Sequence, residues 1–182
     1  MSFVAIVMIG NVEGPVADAI ASAVSEAAAV SVERAGTLPE PEYAWDERRG
    51  QYSSTAVLGK LVENCPAGAF KVLGITERDL FIPMLSFVFG QAQVGGRGAL
   101  LSLARLRQEF YGLPPQVSRL HERARKEALH ELGHTFGLVH CPETSCVMSL
   151  ATNLRQLDLK GAGYCASCRA MLGEAGPLEN HK

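Results

Sequence analysis

No stretch of this sequence is apolar for long enough to cross a bilayer. The best candidate, residues 2–10 (SFVAIVMIG), falls well short of the ~20 residues that a spanning helix needs. No positive charge precedes it as in a secretory leader, so it reads as a buried strand. A basic surplus is also missing. Seventeen lysines and arginines face 19 acidic side chains for a formal net charge of −2, so neither nucleic acid nor a membrane is an expected partner. No acidic loop has the spacing of a calcium-binding EF-hand. The glycines in Val94-Gly95-Gly96-Arg97-Gly98 lack the lysine of a phosphate-binding loop. There is no internal repeat and no low-complexity tract. Cysteine is scarce and odd in number: Cys65, Cys141, Cys146, Cys165 and Cys168. Four of them crowd into the last third, unlike a secreted disulfide framework. That usage fits a metal site in a reducing compartment, so a cytoplasmic location is expected.

What remains is an ordinary globular composition, with 182 residues available for one substantial core. We expect a single domain over 1–182, with an upper part of sheet and helices through residue 137 and a lower part, 138–182, built around cysteines. Residues 3–9 read as a strand buried on both faces. Residues 14–27 are alanine-rich with helical spacing, and 28–34 return as a strand. Gly36, Pro39, Pro41 and several charges make 36–52 the longest irregular stretch. A serine-capped helix is expected over 53–64, and strands over 69–76, 87–93 and 99–106. Cys65, directly before Pro66, reads as a small buried hydrophobe. A long helix follows Pro114 and Pro115 and ends near Gly137. Its charged stretch, HERARKEA (121–128), reads as a solvated face on which Arg123 and Glu127 pair one turn apart. A short helix near 166–173 and a loose tail at 176–182 complete the chain. Strands alternating with helices predict an α/β fold: a mixed, twisted sheet with crossover helices and an irregular, zinc-stabilised C-terminal part.

The stretch HELGHTFGLVHC, residues 130–141, carries the chemistry. His130 and His134, four apart on a helix, present both imidazoles from one face. Gly137 lets the chain leave the helix in a left-handed conformation, and His140 then closes a three-nitrogen zinc site. Such a site keeps a position open for water, whose pKa zinc lowers. Glu131 is expected to take that water's proton and hand it to the leaving amine rather than to ligate. Gly133 is placed for close packing against the floor of the site.

Cys141 and Cys146, with the pair Cys165-Ala166-Ser167-Cys168, supply four thiolates. That set satisfies tetrahedral zinc completely, so a structural ion is expected to pin residues 141–168 to the end of the histidine helix. C-x-x-C alone also permits a redox pair, which leaves Cys141 and Cys146 without a role, or an iron–sulfur cluster. His140 and Cys141 share a peptide bond, so the two zinc sites should be coupled.

Taken together, H-E-x-x-H-x-x-G-x-x-H-C (130–141), C-x-M (146–148) and C-x-x-C (165–168) resemble the archaemetzincins, a branch of the metzincin zinc metallopeptidases. The match is direct only over 130–168. The resemblance implies a compact metzincin-like fold, with Met148 in a turn forming an apolar sulfur floor beneath the histidines. It also implies an upper sheet whose edge strand pairs with an extended substrate, which assigns weight to Phe89, Gly90, Gln91, Ala92 and Gln93 or to the following glycine turn. Arg97 in that turn either meets a substrate carboxylate or faces water. Tyr164 either steadies an oxyanion or packs. No inhibitory cysteine segment precedes the core, so latency of that kind is not expected. The reading is a zinc-dependent peptidase acting on peptides or unfolded segments, with endo- or aminopeptidase action open. The alternative is a zinc-stabilised binding protein with little turnover. Nothing in the sequence bears on oligomeric state.

Overall fold

The computed structural model describes residues 3–175, so the expected loose tail at 176–182 lies outside the described residues. The elements, in chain order, are β1 (Phe3–Ile9), α1 (Gly14–Ala28), β2 (Ser31–Leu38), β3 (Trp45–Asp46), β4 (Gln51–Ser53), α2 (Ser54–Glu63), β5 (Ala69–Thr76), β6 (Leu80–Phe81), β7 (Gly90–Ala92), β8 (Gly98–Ser102), α3 (Val117–Thr135), α4 (Leu154–Leu159) and α5 (Ala166–Ala175). The main sheet has the order β2-β1-β5-β8-β7. Its strands are parallel except β7, which pairs antiparallel with β8 at one edge. A small second sheet joins β3, β4 and β6.

The period of a strand decides which side chains meet which helix. Val4 and Ile6 of β1 join Leu73, Ile75 and Leu101 in a core closed by α1 and α3. Ala5, Val7 and Ile9 face the other way, with Val72 and Leu100, onto Val57, Leu58 and Leu61 of α2. A strand covered on both faces must be apolar throughout, which is why β1 reads as a continuous hydrophobic run. The first core continues without a break into Val147, Met148, Tyr164 and Cys168. The irregular lower segment is therefore packed onto the same apolar layer as the sheet.

The structure moves several expected boundaries. The second strand runs from Ser31 to Leu38 rather than over 28–34. The stretch 36–52 is less irregular than expected, holding the end of β2, a 3-10 turn at Glu42–Ala44 and the β3–β4 hairpin. The fourth strand shrinks to Gly90–Ala92, and the strand expected over 99–106 stops at Ser102 before a 3-10 turn. Helix α4 has no counterpart in the sequence reading. Cys65 is only half-buried, with its sulfur 3.3 Å from Arg97 Nη2. Among the described residues, no helix is long and apolar enough to cross a membrane.

The largest correction concerns the charged run 121–128. It is not a solvated face: Arg123, Lys126 and Glu127 are each 3% exposed. Nor do Arg123 and Glu127 pair with one another. Arg123 makes a two-pronged pair with Asp158 at 2.7 Å on each prong and donates to the Leu106 carbonyl. Lys126 donates to the carbonyls of Leu157 and Asp158, and Glu127 pairs with Lys160. The apolar residues Leu120, Ala124, Ala128 and Leu132 occupy one stripe of α3 against the sheet, while the charged stripe receives α4 and the residue that follows it. The charges look solvated in sequence because their partners lie some thirty residues away and only folding brings them in.

Burial works against the Asp158 carboxylate, but the Arg123 pair, with Arg119 and Lys126 nearby, outweighs it and holds the carboxyl below its usual range. A lowered carboxyl contributes stability that is present above its unfolded pKa and is lost as pH falls through the folded one. We predict that Arg123→Met destabilises the fold by about 3 kcal/mol, the low end for breaking a buried pair, because Asp158 keeps part of its surface in water. The loss should shrink as the pH is lowered through the ordinary carboxylate range. Urea titrations across pH test this, and an Arg123→Met protein of wild-type stability at neutral pH would contradict it.

Candidate active site

Helix α3 ends in a motif that fixes the direction of everything after it. Gly137 takes φ 91°, a left-handed conformation that a side chain would strain. Its N–H bonds the His134 carbonyl, and the N–H of Leu138 bonds that of Gly133, the paired closure of a Schellman motif. The glycine turn of residues 95–98 is tied to the same end. The Gly95 N–H reaches the His134 carbonyl at 2.9 Å, and Lys71 Nζ bridges the carbonyls of Gly96 and Thr135 at 2.6 and 2.7 Å.

The three histidines then converge. His130 Nδ1 donates to the Val147 carbonyl at 2.9 Å, and His134 Nδ1 donates to the Leu138 carbonyl at 2.7 Å. With each Nδ1 committed as a donor, each Nε2 must offer a lone pair. Those two Nε2 atoms lie 3.2 Å apart. His140 completes a set whose ligand atoms all lie within 4.8 Å of one another. Acceptor lone pairs turned toward each other repel unless a cation lies between them, so the donor set fits a zinc ion. Burial, reinforced by the Lys160 ammonium, pushes the His130 imidazole down to about 3 and keeps it neutral. Burial and its histidine neighbour lower His140 in the same direction.

The second cluster lies directly below. Cys141, Cys146, Cys165 and Cys168 are free thiols with their sulfurs within 4.8 Å of one another. Backbone N–H groups point at them: Cys165 and Met148 toward Cys146 Sγ at 3.3 and 3.5 Å, and Cys168 toward Cys165 Sγ at 3.5 Å. The Cys168 N–H holds the Cys165 thiol below its ordinary range, whereas burial raises that of Cys168. The two clusters share backbone. His140 precedes Cys141, while Cys146 precedes Val147, whose carbonyl holds His130. The Cys141 N–H also bonds the Met148 carbonyl at 3.0 Å. Met148 is fully buried under the helix. A Cβ at Gly133 would collide with the Met148 sulfur, so the close packing expected of that glycine is present.

Above the histidines lies a cleft of about 420 Å³ lined by Phe87, Phe89, Gly90, Gln91, Ala92, Leu150, Glu127 and Glu131, among others. Its lining combines apolar side chains, the edge strand β7 and the face of α3 that carries the histidines. Glu131 is 6% exposed, and burial, reinforced by the neighbouring Glu127 charge and offset in part by Lys160, raises its carboxyl well above the usual range. Gly90 makes room for it. A Cβ there would lie 2.5 Å from the Leu100 carbonyl oxygen and 2.6 Å from Glu131 Cγ.

Not every expected residue reaches the cleft. Phe89, Gly90, Gln91 and Ala92 line it, whereas Gln93 turns back, its side-chain oxygen accepting the N–H groups of Arg97 and Gly98. Arg97 points away to the Ala69 carbonyl and the Cys65 sulfur. Tyr164 packs instead of entering the cleft: it is 5% exposed, and its hydroxyl donates to the Leu129 carbonyl at 2.7 Å. The sequence reading missed Glu127 as a cleft residue and Lys160 beneath it. Only the helical offsets of Glu127 from His130 and Glu131 hinted at the first.

The arrangement is that of a metzincin-type metallopeptidase, and comparisons with known proteins agree. Residues 29–174 match the model of peptidase family M54. Over 136 residues the chain is 48% identical to the archaemetzincin of Methanocaldococcus jannaschii, covering 75% of this chain and 74% of that one. The crystal structure of the Methanopyrus kandleri archaemetzincin superimposes with a TM-score of 0.83 at 36% identity, over 95% of this chain and 94% of that one. A zinc-dependent peptidase from Methanocorpusculum labreanum gives a TM-score of 0.83 at 30% identity, over 93% of this chain and 99% of that one. The chain belongs to peptidase family M54, the archaemetzincins.

Two tests follow from the geometry. Gly90→Ala should push both the Leu100 carbonyl and the Glu131 carboxylate aside, costing some stability at the β7–β8 edge and lowering kcat by about 10- to 100-fold, as misplacement by an ångström does; wild-type kcat in a folded, metal-replete variant would contradict this. Cys146→Ser should weaken zinc at the histidine site as well as at its own, because Val147 and His140 are both anchored through the cysteine cluster. Competition with a chromophoric chelator reads the two affinities, and an unchanged histidine site in a folded variant would refute the coupling.

Proposed function

We propose that this chain hydrolyses peptide bonds at the cleft above His130, His134 and His140, with these three residues holding the catalytic zinc and the four cysteines a structural one. Zinc held there supplies a water of lowered pKa and polarises the scissile carbonyl. Glu131 takes a proton at its carboxylate and returns it to the leaving amine. Burial keeps competing water away from its carboxyl. The edge strand β7 orients an extended peptide through its backbone, its free edge offering the N–H and C=O groups that an added strand needs. The apolar lining from Phe87, Phe89 and Leu150 favours an apolar substrate side chain. Met148 acts through shape, seating the helix from below.

The observation that carries this reading is the pair of Nε2 lone pairs 3.2 Å apart, neither ring free to turn, on the same helix face as a buried carboxyl that lines the cleft. The partner proposed is a peptide or an unfolded segment. A reducing compartment, cytoplasm included, is proposed on the four thiols that lie together unpaired.

The test compares zinc-replete wild type with Glu131→Ala on a diverse peptide library, with products read by mass spectrometry. Wild type should cleave, preferring an apolar residue beside the cut. Glu131→Ala should retain both metals and lose about 10²- to 10⁴-fold in kcat/KM, the usual worth of a general base. Equal behaviour of the two proteins with both zincs bound would sink the reading and favour a binding role without turnover.

A further inference from the structure

The buried ion pair between Lys160 and Glu127 has no part in the chemistry just described. Lys160 is 3% exposed and Glu127 is likewise 3% exposed. Lys160 Nζ lies 2.9 Å from Glu127 Oε1, 3.4 Å from the Ser149 carbonyl and 3.5 Å from His130 Nδ1. The third approach is not a hydrogen bond, because His130 Nδ1 already donates to the Val147 carbonyl. The ammonium therefore joins two bodies. Glu127 lies on α3 one turn before His130 and Glu131. Ser149 belongs to the turn that carries Met148 and the carbonyl holding His130.

Burying both charges removes their hydration, and replacement of such a pair by neutral side chains is often neutral or stabilising. A buried pair is thus a poor way to gain stability and an effective way to fix geometry. The charged stripe of α3 already has other anchors for the lower segment, since Arg123 and Lys126 hold α4 through Asp158 and Leu157. Lys160 alone among these cations reaches the metal-site histidine.

We propose that Lys160 is a positioning residue for the histidine metal centre: the Glu127–Lys160 pair is a strut that sets the spacing between α3 and the Val147–Ser149 turn, and so the placement of His130 Nε2 and of Glu131. The inference rests on the site assignment proposed above. It concerns geometry at the histidines and not the proton state of any group.

The test loads wild type, Lys160→Met and the double variant Glu127→Gln/Lys160→Met with cobalt(II). Thiolate coordination gives sulfur-to-metal charge-transfer bands that the histidine site lacks, so the two sites are read separately. Lys160→Met leaves an unpaired buried carboxylate and can fail to fold, so the double variant decides. Its thiolate bands should match wild type. Its histidine-site visible bands should shift, cobalt affinity there should fall about 10- to 100-fold, and kcat on a cleaved peptide should fall with KM near wild type. A double variant with wild-type histidine-site bands and affinity overturns the proposal, because the strut is gone and the site intact. A double variant that does not fold also overturns it, making the pair a stability element. If wild type cleaves no peptide, the peptidase reading fails while the cobalt spectra still decide on Lys160.

Discussion

Neither imidazole of the helix pair can rotate. Each spends its Nδ1 hydrogen on a carbonyl, and each carbonyl belongs to backbone outside the helix: Leu138 just past its end and Val147 in the turn below. Two lone pairs are thereby pressed to within 3.2 Å without a proton to share. A dication relieves that repulsion, and the surrounding structure exists to maintain it. The parallel sheet gives α3 a rigid bed. The Schellman closure at Gly137 delivers Leu138 to its post, and the cysteine cluster holds the backbone on either side of Val147 and His140. Each of these parts acts on the histidines through a main-chain carbonyl or a main-chain direction.

This explains which features were legible in the sequence. The histidine and cysteine motifs depend on local spacing, and local spacing is written in the chain: four residues on a helix, three to a left-handed glycine, two between paired thiols. The strand β1 was legible because burial on both faces demands an unbroken apolar run, and β5 because Val72, Leu73 and Ile75 continue such a run beyond Lys71. What escaped depends on distant partners. Asp158 and Lys160 are unremarkable charges in an irregular stretch until α4 is laid across α3, at which point a run that looked solvated becomes a buried seam. Tyr164 and Arg97 were ambiguous for the same reason. A tyrosine next to a cysteine has no fixed direction in sequence, and the structure turns its hydroxyl to the Leu129 carbonyl rather than to the cleft.

The edge strand shows a finer limit. Residues 87–93 have strand character, yet the ladder with β8 is only three residues long. A change of partner shortens it. Before Gly90 the chain pairs with β6 instead, through the Val88–Leu80 bridge, and Phe87 lies edge-on to Phe89 and under the Arg105 guanidinium. Gln91 accepts from Ser54 at the start of α2 and so ties the strand to the opposite layer. Propensity cannot register either contact. This short edge, tethered by Gln91 and beside a glycine that admits Glu131, keeps its N–H and C=O groups aligned along the cleft.

The lower segment poses the remaining physical question. Residues 138–153 carry almost no regular secondary structure, yet their carbonyls define the site. A segment without ladders has little intrinsic resistance to fraying. Its order comes from three sources of different kinds. Val147 and Met148 enter the apolar core. The four cysteine sulfurs lie within 4.8 Å of one another, and the affinity of a metal held there would become folding free energy. Charges on α3 reach across to α4 and Lys160. The first is nondirectional and holds the segment near the helix without fixing its register. The second fixes the backbone beside His140 and Val147, since Cys141 and Cys146 are their chain neighbours. The ion pair links Glu127 of α3 to the Ser149 carbonyl beside His130. Two directional constraints thus act on a segment seated by apolar burial, and both reach the backbone that carries the carbonyl holding His130.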